Sequence, residues 1–451
     1  MKVLLVSPCE SKYVNYSKSK RVVCASLRLL AAYTPKEHEI ILADQGYGDG
    51  VHHDHVDVVG ISAMTAQAPA SYRLAAWYRE RGAKVVMGGI HASVRPEEAA
   101  RHVDAVCVGE GDALWPRILE DAAAGRLQSI YRPDGLFPIE NIPPFRRDLG
   151  RRQKTTFNHA MVQATRGCPY SCEFCTTSAL FGKKYRCRPV ENVIEEIKAC
   201  GSRSLFFLDD NIFCSPAYCE ELFAKMVPLK VRWVGQASLN SVTKDPALLR
   251  LARRSGSLGL FIGIESVNQL TRRASKASAK LGAAELGDVA RKIRFVLGHG
   301  MLVQSSMIFG LDGDDPTVFE RTVDFLRSNR VSLSSFCILT PYPGTALHDR
   351  FKAEGRLLHE DWSLYSNENV VFTPAQMTPE QLKNGSDWAG TRFYGRRSIL
   401  RRFPSNWRRP VFYFGMNAFT RHANLTNHGP GGITPMPAAE KRAWRRECRA
   451  V

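Results

Sequence analysis

The chain has 451 residues, 44% hydrophobic and 24% charged, a globular balance that excludes disordered and low-complexity classes. Lys and Arg exceed Asp and Glu by 18, yet from Gly390 onward there are 13 basic and 2 acidic residues, so the main body is only mildly basic. No apolar run approaches the ~20 residues that span a bilayer.

Met1-Lys2 leads straight into Val3–Val6 without a signal-peptide pattern, which predicts a cytoplasmic chain whose 12 cysteines are reduced thiols or metal ligands. Residues 1–125 alternate strands at Val3–Val6, Ile40–Leu42, Val58–Ser62, Lys84–Met87 and Ala105–Val108 with helical stretches near Ala25–Tyr33, Ala70–Arg81, Glu97–Arg101 and Ala113–Ala124. Five strands at this spacing resemble the flavodoxin-like doubly wound fold, whose ligands lie beyond the strands' C-terminal ends. Ser62 and the following Ala63–Ala66, and Gly88-Gly89 with Ile90–Ser93, are such end loops, small enough to let a ligand approach backbone.

Residues 126–160 read as a linker, with turn chemistry at Arg132-Pro133-Asp134-Gly135 and Ile142-Pro143-Pro144. From 161 to 340 strands are predicted at Met161–Thr165, Ser204–Leu208, Arg232–Ser238, Leu258–Ile264, Leu302–Ile308 and Leu333–Leu339. Helices are predicted at Val190–Ala199, Pro216–Met226, Pro246–Arg254, Ala283–His299 and Pro316–Ser328. Six βα units make a partial barrel with its chemistry at the strands' C-terminal ends. Residues 341–451 read as irregular and finally basic. Within them Arg396–Phe414 interleaves arginine with aromatic and aliphatic residues, a composition suited to packing on the barrel or, less favoured, to a partner protein or an anionic membrane surface.

The sharpest chemical signal is Arg166-Gly167-Cys168-Pro169-Tyr170-Ser171-Cys172-Glu173-Phe174-Cys175, just after the first strand of the second block. Three thiolates on so short a loop can each ligate one iron of a [4Fe–4S] cube and leave the fourth iron open. Zinc is the competing occupant, but it favours a second cysteine pair or a nearby histidine, and His159 does not match finger spacing.

This loop, followed by βα units, resembles the signature of the radical S-adenosylmethionine superfamily. The resemblance implies that Cys168, Cys172 and Cys175 hold the cluster, that S-adenosylmethionine chelates its open iron, and that reductive cleavage releases a 5′-deoxyadenosyl radical. It implies further that Phe174 packs near adenine and that Asp209 or Asp210 receives the methionyl amine. By the same resemblance Glu265 and Ser266 contact the cofactor, and Gly310 and Thr340 lie on the adenine side. For the acidic residues, a helix cap at Asp210 or Asn211 and a solvated turn at Glu265 are the plainer readings.

A flavodoxin-like domain before such a barrel resembles the cobalamin-binding class of that superfamily. Here cobalamin would lie over Ser62, Gly88 and Gly89, although no Asp-x-His-x-x-Gly cobalt-ligand motif follows the first strand. The expected function is hydrogen abstraction from a small molecule or lipid, with cobalamin-dependent C-methylation in natural-product or lipid biosynthesis. The alternative is cobalamin-independent dehydration, deoxygenation or rearrangement, for example of an aminosugar in an antibiotic pathway, with a reductase partner. Either reading needs an electron donor such as flavodoxin or ferredoxin. Nucleic-acid modification is disfavoured, because neither a second three-cysteine set nor a terminal RNA-binding barrel is visible.

Overall fold

A computed structural model describes residues 1–9, 24–149, 160–268, 285–404, 410–427, 432–433 and 435–448. His159, the start of the helix predicted at 283, and Trp407, Arg408 and Arg409 lie outside the described residues. Among the described residues are two six-stranded parallel sheets, each carrying helices, joined by the segment after Tyr131.

The first block runs β1 (Lys2–Ser7), α1 (Ala25–Tyr33), β2 (Glu39–Asp44), β3 (Val58–Ser62), α2 (Ala68–Arg79), β4 (Lys84–Gly88), α3 (Ile90–Val94), α4 (Pro96–Ala99), β5 (Ala105–Cys107), α5 (Trp115–Ala123) and β6 (Ile130–Tyr131). Strand order is β2-β1-β3-β4-β5-β6, all parallel. The runs Val3–Val6 and Val58–Ile61 are buried on both faces, as a sheet covered by helices on both sides requires. β6 is a finding beyond the expected five strands: its two residues are too few to show a period in sequence. They are held because Val106 N and Val108 N donate to Ser129 O and Tyr131 O. The order reverses between β1 and β3, which opens a crevice at their C-terminal ends. Gln67 ties that edge together, donating from Nε2 to Pro8 O (2.7 Å) and Ser7 Oγ (3.2 Å).

The second block comprises β7 (Ala160–Val162), β8 (Thr165–Arg166), α6 (Thr177–Phe181), β9 (Arg186–Cys187), α7 (Val190–Ala199), β10 (Ser204–Phe207), α8 (Pro216–Met226), β11 (Arg232–Ala237), α9 (Leu239–Thr243), α10 (Pro246–Arg254), β12 (Ser257–Glu265), α11 (Leu286–Gly298), β13 (Leu302–Phe309), α12 (Val318–Ser328) and β14 (Leu333–Ile338). Its sheet runs β7-β10-β11-β12-β13-β14 in sequence order, the right arrangement for a partial barrel. The strand expected over Met161–Thr165 is divided: β7 stays in the barrel, while β8 leaves it to pair antiparallel with β9, Thr165 opposite Cys187 and Arg166 opposite Arg186. The cysteine loop is therefore an excursion whose two ends are stitched together.

The region after residue 340 is largely helical rather than irregular: α13 (Ala346–Ala353), α14 (Pro379–Phe393), α15 (Arg396–Arg402), α16 (Pro410–Asn427) and α17 (Ala438–Glu447). Charge pairing holds the last helix of the basic tail, because α17 sets Lys441 and Arg445 against Glu320 and Asp324 of α12. Arg402 is fully buried and donates to Val331 O (2.8 Å) and Ser332 O (2.7 Å), closing the barrel's lower end. Ile399 and Tyr413 pack with Leu302, while Leu400 and Val411 stay exposed. No helix of the described residues is long and apolar enough to cross a membrane.

Candidate functional site

The barrel strands end at a cavity of about 200 Å³. Its walls are Asp210 and Asn211 after β10, Gln236, Ala237 and Ser238 of β11 and its exit, Phe261, Gly263 and Glu265 of β12, Ser306 and Ile308 of β13, and Cys337 to Thr340 of β14 and its exit. Phe174 enters from the cysteine loop, and Tyr342 and Asn367 close one side. The alternation of a strand puts residues i and i+2 on one face, which is why 261 and 263, or 306 and 308, share this wall.

Glu265 is the most constrained residue here. It has φ +65° in the left-handed region, where a side chain other than glycine is costly, and β12–β13 register shifts between Gly263 and Glu265. A Cβ on Gly263 would stand 2.2 Å from Glu265 Oε1, so the absence of a side chain at 263 makes room for the carboxylate. Strain at a strand end that turns an acid into a polar cavity points to a ligand-binding role.

Of the two adjacent acids, only Asp210 lines the cavity, where Thr177 Oγ1 donates to it at 3.2 Å. Asp209 is fully buried and accepts from Thr165 Oγ1 (2.5 Å) and Ala164 N (3.2 Å), which anchors β8 to β10. Burial pushes its carboxyl up to about 6 despite those hydrogen bonds. Asn211 accepts from Ser238 N at 3.2 Å, while its Nδ2 is buried without a partner. An orphan donor beside two carboxylates fits the amino, carboxylate and hydroxyl groups of S-adenosylmethionine.

Thr340 lines the cavity but donates its hydroxyl to Ile338 O and Ser366 O, both at 3.1 Å. Ser266 lies behind Glu265, its Oγ accepting from Asn268 N at 3.0 Å. Gly310, at φ +95°, faces Leu382 and Phe372 rather than the cavity. Residues the sequence reading missed are Gln236, Ser238, Phe261, Ser306, Cys337, Tyr342 and Asn367. Nothing local marks them in the sequence.

Cys168 and Cys172 are buried and Cys175 is half-buried, and Cys175 N donates to Cys172 O at 3.1 Å. Gly167 opens the loop at φ +92°, with the backbone of Lys184 directly against it. A cube takes each thiolate on a different iron, so its ligands stand around it rather than meeting at a point. Three thiols on one turn of loop, beside a cavity with polar walls, fit that group. Among the described residues no three His, Cys, Asp or Glu side chains converge as a single metal ion requires. Burial pushes the Cys187 thiol up to about 11, so it stays protonated on β9.

At the first domain's strand ends, Ser62 Oγ lies 2.8 Å from Ser26 Oγ, and Met64 is 60% exposed. Gly89 has φ +93°, and a Cβ there would stand 2.6 Å from Ala63 O, so the Ser62 and Gly88-Gly89 loops touch through backbone. Thr65 Oγ1 is buried without a partner. Small residues, an exposed methionine and an orphan hydroxyl fit a broad apolar ring with polar edges such as cobalamin. His91 does not reach into that space: it is fully buried, with Nε2 2.9 Å from Tyr72 Oη and its ring against Trp362. α3, which follows Gly89, packs on α6, which follows Cys175, so the two sets of loops adjoin.

A B12 binding domain model matches residues 49–119, and a Radical SAM superfamily model matches residues 162–326. Bacteriochlorophyllide d C-12(1)-methyltransferase of Chlorobaculum tepidum is 31% identical over 436 residues, 93% of either chain. The C-8(2)-methyltransferase of the same organism is 28% identical over 90% of this chain and 93% of its own. Hopanoid C-2 methylase of Rhodopseudomonas palustris is 27% identical over 74% of this chain and 65% of its own. In fold, the chain matches the radical S-adenosylmethionine methyltransferase TsrM of Kitasatospora setae, solved with cobalamin and a [4Fe–4S] cluster. The TM-score is 0.69 at 15% identity, over 100% of this chain and 99% of that one.

Proposed function

The chain belongs to the B12-binding-domain class of the radical S-adenosylmethionine superfamily, and from that premise we propose that it methylates an unactivated carbon of a small-molecule or lipid substrate. The observation that carries this reading is the packing of α3 on α6, which brings the Gly88-Gly89 loop of one domain beside the cysteine loop of the other. With a [4Fe–4S] cluster, S-adenosylmethionine and cobalamin bound, such a site supplies a carbon radical on the substrate and a methyl group to quench it.

The chain's own residues then have separable tasks. Cys168, Cys172 and Cys175 hold the cluster, and Phe174 covers the adenine side. Asp210, Glu265 and the orphan amide of Asn211 fix the methionyl and ribose ends, while Phe261 and Ile308 keep water from the radical. Ser62, Gly88 and Gly89 border the ring, and Gly310, Thr340 and Ser266 shape the wall behind the site. The cluster that Cys168, Cys172 and Cys175 would hold would draw its electron from an external one-electron donor such as flavodoxin or ferredoxin.

The relatives act on bacteriochlorophyllides and hopanoids, as their names state, so a flat lipophilic tetrapyrrole or polycyclic lipid is the substrate class to test first. Protein reconstituted anaerobically with iron and sulfide is incubated with S-adenosylmethionine, a reductant and a bacteriochlorophyllide or hopanoid, with and without hydroxocobalamin. The reading expects a product one methyl heavier only when cobalamin is present. A dehydrated or rearranged product formed without cobalamin contradicts it.

A further inference from the structure

The root of the cysteine loop is gripped by the other domain. Arg166, two residues before Cys168, donates from Nη1 to Glu110 Oε1 and to Asp112 Oδ2, both at 2.9 Å, and from Nη2 to Asp112 Oδ1 at 3.2 Å. Arg186, its partner across the β8–β9 ladder, donates to Glu110 Oε2 at 2.7 Å and Oε1 at 2.9 Å. Glu110 and Asp112 sit in the Gly109–Asp112 loop that follows β5, at the ligand end of the first sheet. The four side chains are 3–7% exposed, and their charges cancel. Both strands that close the excursion are thus pinned by carboxylates from outside the barrel. Glu110 Oε2 also accepts from Phe137 N at 2.9 Å, which adds the connecting segment to the same knot.

A buried ion group of this kind is weak evidence for stability, since desolvation offsets most of its attraction and apolar residues often serve as well. What it supplies is position: the planar guanidinium fork accepts two carboxylates only in a fixed orientation. Burial alone would raise the Glu110 carboxyl, but hydrogen bonds from Arg186 and the charge of Arg166 outweigh it and hold the group below its ordinary value. The group therefore stays charged through the neutral range.

We propose that Glu110 and Asp112 are positioning residues that set where the cysteine loop stands relative to the first domain, so that this four-charge lock fixes the spacing between the two cofactor sites. The proposal rests on the functional reading above only in its last clause. The first clause is tested on cofactor-free protein. In Asp112→Asn, Arg166→Lys and the Glu110→Gln/Asp112→Asn pair, amides 167–175 should exchange hydrogen at least tenfold faster than in wild type, with β12–β13 unchanged. Equal exchange in 167–175 overturns the lock, as does equal acceleration throughout the barrel, which marks general destabilisation. Asp112→Asn removes a single charge and serves if the double variant does not fold. The second clause is read by dipolar electron paramagnetic resonance between cob(II)alamin and the reduced cluster in protein loaded with hydroxocobalamin, iron and sulfide. Wild type should give one narrow distance and the variants a broadened one; a distance distribution unchanged in all three contradicts the proposal. Wild type that binds no cobalt refutes the functional reading while leaving the exchange result to stand or fall by itself.

Discussion

Gly167 is the pivot on which the account of the cluster loop can be broken by one methyl group. Its φ of +92° is a left-handed conformation, and a Cβ there would lie 2.4 Å from Lys184 O, with Lys184 C at 3.4 Å and Phe181 O at 3.7 Å. Those atoms are backbone and cannot rotate away. Lys184 also leads into β9, so moving it moves the strand that closes the excursion. Gly201 is the matched control: φ is +64°, and a Cβ would meet nothing within 4 Å. Both alanine variants carry the left-handed cost of roughly 1–2 kcal/mol. Only Gly167→Ala adds overpacking against fixed backbone, roughly a further 1–3 kcal/mol. The difference corresponds to about a five- to hundredfold loss in the population of loops competent to bind a cluster, at 1.4 kcal/mol per tenfold. Anaerobic reconstitution followed by iron and sulfide analysis, with urea unfolding of the same samples, reads both quantities. Gly167→Ala should lose most of its cluster while Gly201→Ala keeps it. Equal cluster content and equal midpoints in the two variants would show that the Gly167–Lys184 contact does not shape the loop.

Replacing Cys168, Cys172 and Cys175 together by alanine should abolish cluster absorbance and reductive cleavage of S-adenosylmethionine; iron content equal to wild type contradicts the assignment. Asp210→Asn and Glu265→Gln should each weaken S-adenosylmethionine binding by roughly ten- to a hundredfold, the ~1.5–3 kcal/mol of a charged hydrogen bond, whereas Asp209→Asn should leave affinity within about twofold, because that carboxylate serves the backbone of β8. Equilibrium titration settles all three, and an inverted ranking refutes the division of labour. Asp209 also predicts a pH dependence: with its folded pKa raised to about 6, the native state binds the proton more tightly than the unfolded chain. Stability should therefore fall by roughly 2–3 kcal/mol as pH rises from about 4 to 6 and then level off. Urea midpoints across that range should show the slope in wild type and a flatter one in Asp209→Asn; identical slopes exclude Asp209 as its source.

Much of this architecture was legible because local signals agreed with the fold. α1, α7, α8 and α10 begin and end where the hydrophobic period places them, with Pro216 and Pro246 opening two of them and Asp245 capping α10 by accepting from Ala247 N and Leu248 N. The cysteine loop was legible for another reason, since three thiols at that spacing have few other uses. The two neighbouring acids were not separable in sequence. Asp209 is buried against Thr165 and Ala164 while Asp210 lines the cavity, a division set by the turn after β10 and by packing rather than by any local pattern. The bulge at Glu265 and the helices after residue 340 were hidden similarly. A one-residue register shift leaves no trace in composition, and α17 is held by acids on α12 more than a hundred residues earlier in the chain. Glu110 and Asp112 carry no local signal in the sequence, because only the fold brings Arg166 and Arg186 to them.

Whether the barrel and the first domain act together in one methyl transfer is decided by counting products. Anaerobic protein is supplied with S-adenosylmethionine, a one-electron reductant and a substrate that accepts the methyl group, with cobalamin present or withheld. Joint action of the two domains should give one 5′-deoxyadenosine and one S-adenosylhomocysteine for each methylated product, and no methylated product without cobalamin. Full turnover in the absence of cobalamin, yielding 5′-deoxyadenosine and no S-adenosylhomocysteine, would contradict it.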